Sequence, residues 1–341
     1  MKHILLTAAP DAELTRRWNE FLVAAPFATH YCTPNYFKDP YLRGKPFAVL
    51  AEQGNGEIAA VLTGIWEGVK AVSGLYVRPQ TVFAAGVDLT AASASLLDGI
   101  DELCYGKPGL IEIFTWQRRP GLIDLGMRER EGRDAMCVVV LDLSLGADKL
   151  FAAFSPSRRN DIRKALRWGL VEIKEIETSN ELDQMYAIHV DWCGRKGHPP
   201  DTFEEMQTAV GDRENRRTFI AKADGKVIAA SFYRFCSGGI FEYAGNSSMP
   251  EYRKLRPNAL LGWHAIQWAC SEDFTHFSMG GSHMFLRRFG GEIIQTYRYR
   301  RDCTRLRFHD LREHTWEFGL GAYRRLPLNV RANVKKVLAK K

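Results

Sequence analysis

Two distant stretches of the chain repeat one alternation of apolar runs and turn residues. Phe47-Ala48-Val49-Leu50-Ala51 leads through Asn55-Gly56 into Ile58-Ala59-Ala60-Val61-Leu62, and Phe219-Ile220-Ala221-Lys222-Ala223 leads through Asp224-Gly225 into Val227-Ile228-Ala229-Ala230. Each is a pair of β-prone runs joined by a dipeptide that favours positive φ, so each predicts a hairpin. Their Ile-Ala-Ala segments, beginning at Ile58 and Ile228, lie 170 residues apart. Before each hairpin, apolar residues recur at three- and four-residue spacing: Leu14, Trp18, Phe21 and Leu22 in one, and Leu182, Met185, Tyr186, His189 and Trp192 in the other. That spacing predicts a helix with one buried face. After each hairpin the pattern predicts a strand (81–84; 239–244), a helix (92–104; 258–271) and another strand (110–116; 274–279). Helix, hairpin, strand, helix, strand, written twice, predicts an α/β protein whose sheets are mixed and largely antiparallel.

The length of 341 residues suits two such units, since domains usually run to roughly 100–200 residues. The first unit is expected at 1–145, closing on a strand through Val138-Val139-Val140-Leu141-Asp142-Leu143. The second is expected at 146–310, its opening helix capped by Ser155 with Pro156 in the first turn. Residues 311–341 form a basic, helical tail.

Composition narrows the class. With 45% hydrophobic and 26% charged residues, the chain reads as an ordinary soluble protein. No run approaches the roughly 20 apolar residues that span a bilayer, and the short apolar N-terminus reads as a first strand. Seven cysteines lie scattered without a C-x-x-C pair, which points to reduced thiols and a cytoplasmic address. His309 and His314 have no companion ligand pair, so no metal is expected. The absence of G-x-G-x-x-G and G-x-x-x-x-G-K-[ST] removes the usual nucleotide folds. The net charge of +7 resides in residues 318–341, which hold seven basic side chains and no acidic ones; the rest is neutral. Interleaved with leucines and valines, that tail suits an anionic membrane surface, RNA, or plain solvation as a terminal helix.

The segment Ser155-Pro156-Ser157-Arg158-Arg159-Asn160-Asp161-Ile162-Arg163-Lys164-Ala165-Leu166-Arg167-Trp168-Gly169 is the most informative. As a helix it places Arg159, Arg163 and Arg167 on one stripe and Ile162, Ala165, Leu166 and Gly169 on the buried side. Guanidinium stripes suit phosphate, because each group donates two parallel hydrogen bonds; a solvated basic face is the alternative. Aromatic residues for stacking nucleic-acid bases are sparse here.

The motif Arg159-Asn160-Asp161-Ile162-Arg163-Lys164-Ala165, following the strand Val140-Leu141-Asp142-Leu143, resembles the opening of the second lobe in FemAB-like acyltransferases of the GNAT superfamily. Further matches follow in order. The hairpin 219–230, Tyr243-Ala244-Gly245-Asn246, Arg256-Pro257-Asn258-Ala259-Leu260-Leu261-Gly262-Trp263 and Phe289-Gly290-Gly291 are each similar to the family pattern, and together they cover about 135–300. The resemblance implies two tandem GNAT-like lobes, each a mixed, largely antiparallel sheet flanked by helices. It also implies an N-acyltransferase that moves an acyl or aminoacyl group from an activated donor to an amine of a cell-envelope or exopolysaccharide precursor. Family donors are acyl-CoA or aminoacyl-tRNA; acceptors include small or lipid-linked amines. A peptidyltransferase of the peptidoglycan-bridge type and a non-catalytic RNA- or anion-binding module remain alternatives. No DNA partner is implied, and the tail would hold a cytoplasmic enzyme at the inner face of the membrane.

Site expectations follow from that resemblance together with the residues. Acyl transfer to an amine needs a base, oxyanion stabilisation and a proton for the leaving group. Glu242 is a candidate base and Tyr243 a candidate acid, although strand alternation turns them to opposite faces; a surface carboxylate is the plainer reading of Glu242. His283, beside Gly280-Gly281, is a candidate proton shuttle. Arg159, Asn160, Arg163, Lys164, Asn246 and Arg287 are expected to contact substrate. Arg253, Arg256, Asn258 and Ala259 are expected to hold the donor's phosphates where a helix N-terminus offers N–H groups and a positive dipole end. The usual phosphate loop R/Q-x-x-G-x-G/A is missing: Arg253-Lys254-Leu255-Arg256-Pro257-Asn258-Ala259 lacks both glycines, and Leu286 stands where relatives carry lysine.

Overall fold

The structure, a computed structural model, describes residues 1–25, 27–130, 136–272 and 274–325. The first lobe begins with β1 (Lys2–Leu6) and α1 (Ala12–Ala24), followed by the strands β2 (Lys45–Glu52), β3 (Ile58–Glu67), β4 (Lys70–Ser73) and β5 (Thr81–Phe83). Then come α2 (Leu89–Leu103), β6 (Leu110–Thr115), α3 (Pro120–Asp124) and β7 (Arg128–Arg130). The second lobe begins with β8 (Cys137–Asp142), α4 (Ala147–Ala153), α5 (Pro156–Trp168), β9 (Glu172–Glu175), α6 (Ser179–Lys196) and α7 (Phe203–Gly211). Next are the strands β10 (Arg216–Ala223), β11 (Lys226–Phe235) and β12 (Ile240–Ser248), the helix α8 (Pro257–Ser271), β13 (His276–Ser278), α9 (Met284–Arg287) and β14 (Glu292–Gln295). The described chain ends with β15 (Tyr297–Asp302) and α10 (Phe308–Arg325).

Both predicted hairpins are present. β2 pairs antiparallel with β3, and β10 with β11. Asp224 and Gly225 both adopt positive φ, +50° and +76°, as a two-residue turn requires. The helices expected before and after each hairpin are α1, α2, α6 and α8. Trp18 and Leu22 are buried on α1, and Leu182, Met185, Ile188 and His189 on α6.

The sheets run β1-β2-β3-β4-β6-β15-β7, with β5 added on β3, and β14-β8-β13-β12-β11-β10-β9. Two strands therefore lie in a lobe other than the one their position in sequence suggests. β8, expected to close the first lobe, pairs with β13 and β14 in the second sheet. β15 crosses back to lie between β6 and β7 in the first. Hydrophobic alternation reports that a strand is half-buried, not which sheet buries it. Leu166, expected on the buried side of α5, is 58% exposed, and Arg158 is buried in its place.

The lobes meet through buried ion pairs. Asp39 accepts from His30 Nε2 and Arg216, at 2.8 and 2.7 Å, and Glu242 accepts from Arg78 and Arg234, at 3.0 and 2.9 Å. Phe27 stacks on His276 with ring centroids 4.6 Å apart, and the Ile240 N–H donates to the Ala28 carbonyl. Among the described residues no helix is long and apolar enough to cross a membrane, and no His, Cys, Asp and Glu group is arranged to hold a metal ion. The seven cysteines are unpaired thiols. Most of the basic tail, from residue 326 on, lies outside the described residues.

Candidate active site

The second sheet opens in the middle. β12 pairs in parallel with β13 only from Ile240 to Glu242; beyond that register no ladder joins the two strands. On its other side β12 carries a bulge, since Phe232 faces Gly245 while Tyr233 faces Tyr243. Gly280 has φ +66°, and a Cβ there would meet the Tyr243 carbonyl at 2.4 Å, so glycine is what lets the strand leaving β13 pass so close to β12.

At this opening lies a cavity of about 540 Å³ bounded by α5, the end of α6, the start of α8 and α9. Arg158, Arg195, Lys196, Arg253, Arg256 and Arg288 line it, against the single carboxylate of Asp161. Arg256, in the left-handed region at φ +61°, precedes α8 and gives its first turn no side-chain cap. Pro257 has no N–H, and the Ala259 and Leu260 N–H groups already donate to the Arg256 carbonyl. The helix dipole still favours an anion there, but guanidinium groups supply most of the donors. Asn258 donates to Ser248 Oγ at 3.2 Å, while its buried Oδ1 has no partner.

Arg158 has the most constrained position among these cations. Its guanidinium lies 4.3 Å from the ring centroids of both Phe285 and Phe289 and donates to the Phe285 carbonyl. Burial lowers its pKa to about 10, and the nearby Asp161 opposes that shift.

A second cavity, about 470 Å³, lies where the lobes face each other. Tyr41, Arg43 and Arg78 come from the first lobe, and His189, Trp192, Arg216, Arg234 and Asn246 from the second. Trp192 and Asn246 line both cavities, so the two adjoin at these side chains. Tyr243 donates its hydroxyl to Asn246 Oδ1 at 2.6 Å. Burial holds that phenol above its ordinary pKa, so it keeps its proton at neutral pH.

The expected site residues separate into groups. Asn246, Arg253, Arg256, Asn258, Ala259 and His283 line the 540 Å³ cavity, and Tyr243 reaches its edge through Asn246. Burial keeps the His283 imidazole below its usual pKa, hence neutral near pH 7. Glu242 is not a surface group: it is 2% exposed and held between two arginines. Arg159, Asn160, Arg163 and Lys164 line neither cavity. Arg159 donates to the Ala152 and Phe154 carbonyls, Arg163 stands over Phe151, and Lys164 over Trp168. Arg287 donates to the Ser282 carbonyl and shapes the loop. Sequence reasoning overlooked Arg158, one residue from the stripe, because a helical wheel assigns arginine to solvent. It also overlooked Arg195 and the polar side of His189, which it had counted as core; of Arg287 and Arg288, the two candidates for the charge of the replaced lysine, Arg288 lines the cavity.

Residues 156–301 match the family model described as acetyltransferase (GNAT) domain. No curated protein matches the sequence. Among solved structures, that of FemX superposes with a TM-score of 0.70 at 14% identity, covering 87% of this chain and 97% of FemX. L-PGS from Bacillus licheniformis gives 0.55 at 14% identity, covering 87% and 94%. A tandem GNAT protein from the clavulanic acid biosynthesis pathway gives 0.53 at 11% identity, covering 89% and 98%. Two lobes of one fold, the opened second sheet and these superpositions agree: residues 156–301 match the acetyltransferase (GNAT) domain model, and the whole chain has the two-lobed mixed α/β fold seen in FemX and the tandem GNAT protein.

Proposed function

We propose that this protein transfers an acyl or aminoacyl group from a phosphate-bearing donor in the cationic cavity to an amine in the cavity between the lobes. The observation that carries this reading is the meeting of those two cavities at Trp192 and Asn246. A donor whose phosphates lie among Arg158, Arg253, Arg256 and Arg288 would extend its acyl end along the opening between β12 and β13. An acceptor held between the lobes would then present its amine to the carbonyl carbon, and holding both partners removes much of the entropic barrier.

In that arrangement the amine attacks the acyl carbonyl, an N–C bond forms, and the C–S or C–O bond to the donor breaks. Tyr243 would protonate the departing sulfur or oxygen, its hydroxyl turning from Asn246 Oδ1 to the leaving group. Glu242, with Oε1 shared by Arg78 and Arg234, serves the lobe interface rather than proton transfer. The donor is already activated, so no covalent enzyme intermediate is needed. Acyl-CoA and aminoacyl-tRNA share the phosphate chemistry that this cavity suits.

The acceptor class we favour is a lipid-linked envelope or exopolysaccharide precursor, met at the inner face of the membrane. The support comes from α10. Its carboxylates Asp310 and Glu313 turn inward onto Arg130, Arg298 and Arg300, while Phe308, Leu311, Trp316 and Phe318 are exposed. An apolar outer face leading into a cationic tail suits an anionic bilayer.

Radiolabelled transfer assays with acyl-CoA or aminoacyl-tRNA, alongside binding of uncharged RNA, test the reading. Transfer to an amine with one donor class is expected. Binding of RNA regardless of aminoacylation, with neither donor competing, would replace the enzyme by an RNA-binding module. Leu311→Glu with Phe318→Glu should reduce sedimentation with anionic vesicles; unchanged sedimentation would remove the membrane proposal.

A further inference from the structure

Among the described arginines that are buried or half-buried, Arg119 alone has neither a carboxylate nor a carbonyl to donate to. The others are satisfied within the fold: Arg216 by Asp39, Arg234 by Glu242, Arg298 by Glu112 and Arg158 by the Phe285 carbonyl, for example. The Arg119 guanidinium lies 4.7 Å from the ring centroid of Phe83, and its buried Nε has no acceptor. Burial pulls its pKa below the ordinary arginine value, opposed only by Tyr299. The residue is fixed from behind, since it caps the start of α3 and its backbone N–H donates to the Tyr299 hydroxyl at 2.5 Å. A half-buried cation without a counter-charge costs stability, so its retention calls for a partner from outside the chain.

Arg119 lines the cavity of about 310 Å³ in the first lobe, at the small end of the roughly 300–1,000 Å³ range of small-molecule sites. Phe27, Val82, Phe83, Val87, Leu89 and Trp116 give it apolar walls. Trp116 is 6% exposed, and its indole Nε1 also has no acceptor. Phe27 adopts φ +59°, a left-handed conformation rare for a bulky residue and characteristic of strain kept at functional sites. Its ring meets Trp116 at 5.6 Å on one side and His276 of the second lobe at 4.6 Å on the other. The cavity shares no lining residue with the donor or acceptor cavity.

We infer that this cavity binds a small carboxylate with an apolar body, the carboxylate on Arg119 and the hydrocarbon part against Phe83, Val87 and Trp116. The site stands apart from the acyl-transfer reading. A guanidinium offers a carboxylate two parallel N–H···O bonds, and one cation balances one negative charge. Phosphates are served differently in this molecule, by six cations around the donor cavity. The first-lobe space is also too small for a nucleotide-bearing donor, so toward that molecule the lobe remains a wall.

Indole nitrogen–proton NMR of the full chain tests this, with the Trp116 resonance assigned from Trp116→Phe. The probes are 3-phenylpropionate and its uncharged counterpart 3-phenylpropan-1-ol. The carboxylate is expected to shift the Trp116 resonance saturably and to bind about 10- to 100-fold tighter than the alcohol, as a charge-assisted hydrogen bond allows. Arg119→Gln should abolish that preference, leaving the two probes alike. Should that variant not fold, the preference itself and slowed hydrogen exchange at 84–89 in the unaltered protein decide the matter. A Trp116 resonance unmoved by millimolar carboxylate, equal affinity for acid and alcohol, or a preference kept by folded Arg119→Gln overturns the proposal. Displacement of the carboxylate by acetyl-CoA would merge the cavity with the donor site and overturn it as well.

Discussion

The two lobes repeat one fold and differ most where each presents the start of its crossover helix. In the first lobe Asp88 caps α2, its Oδ1 accepting the N–H groups of Thr90 and Ala91 at 3.0 Å each. The neighbouring cavity, about 310 Å³, has Arg119 as its only cation among the described residues. In the second lobe α8 has no side-chain cap, and six cations surround the space before it. The first lobe thus places its own anion where the second leaves room for one.

The strands beside those helices differ in the same sense. Ala60 faces Phe83 across the first sheet, and Ala230 faces Ser247 across the second. An aromatic ring under Arg119 in one lobe corresponds to a hydroxyl beside His189 in the other. Where β12 makes a bulge at Ala244, the first lobe interposes residues 74–80 between β4 and β5. That excursion carries Arg78, which reaches Glu242 in the second lobe. One copy is filled and serves as a wall; the other is open and charged.

Perturbing each copy in turn sharpens this contrast. Arg253→Glu with Arg288→Glu should raise donor KM roughly 300-fold, since each charge-assisted hydrogen bond contributes about 1.5–3 kcal/mol. Both side chains are exposed, so the melting temperature should hold. Tyr243→Phe should lower kcat roughly 100-fold as a lost general acid, with a much smaller loss of stability; equal losses in both would make the hydroxyl structural.

Acidification should weaken the lobe interface. His30 is kept below its usual pKa of 6.5, chiefly by burial and further by Arg216, against the opposing pull of Asp39. Burial alone would raise Asp39, yet its hydrogen bond from His30 and the charge of Arg216 together hold it below the usual carboxylate value. In both cases the unfolded chain binds the proton more readily, so stability is full above about pH 6.5 and falls as pH drops toward the carboxylate range. Chemical denaturation at pH 7.5 and 5 should show the decline, and His30→Gln should flatten it, because His30 is the depressed group that titrates in that window.

Smaller effects are expected away from the two site cavities. Asp88→Ala should cost about 1 kcal/mol as a lost helix cap and leave transfer unchanged; a large loss of transfer would mean that the first lobe also handles donor. Arg163→Ala should change stability by no more than about 0.5 kcal/mol and leave donor KM as it was, because Arg163 faces Phe151 rather than either cavity.

The repeat made the architecture legible, since hairpin periodicity and turn dipeptides are local signals. The exchange of β8 and β15 between sheets was not, because pairing partners depend on the whole chain. The same division runs through the site. Arg253, Arg256 and Asn258 were legible as cations and a helix start following a strand. Arg158 and His189 were not: one is a buried charge between two rings, the other a polar ring on an apolar helix face, and only tertiary contacts give either its role.

The most direct test of the account is to map donor binding along the backbone by hydrogen–deuterium exchange, with acetyl-CoA in one arm and aminoacyl-tRNA in the other. Protection is expected at 249–261 and 283–288 with at least one donor, and no change at 84–92. Protection at 84–92, or in both lobes alike, would contradict the assignment of the donor to the second lobe.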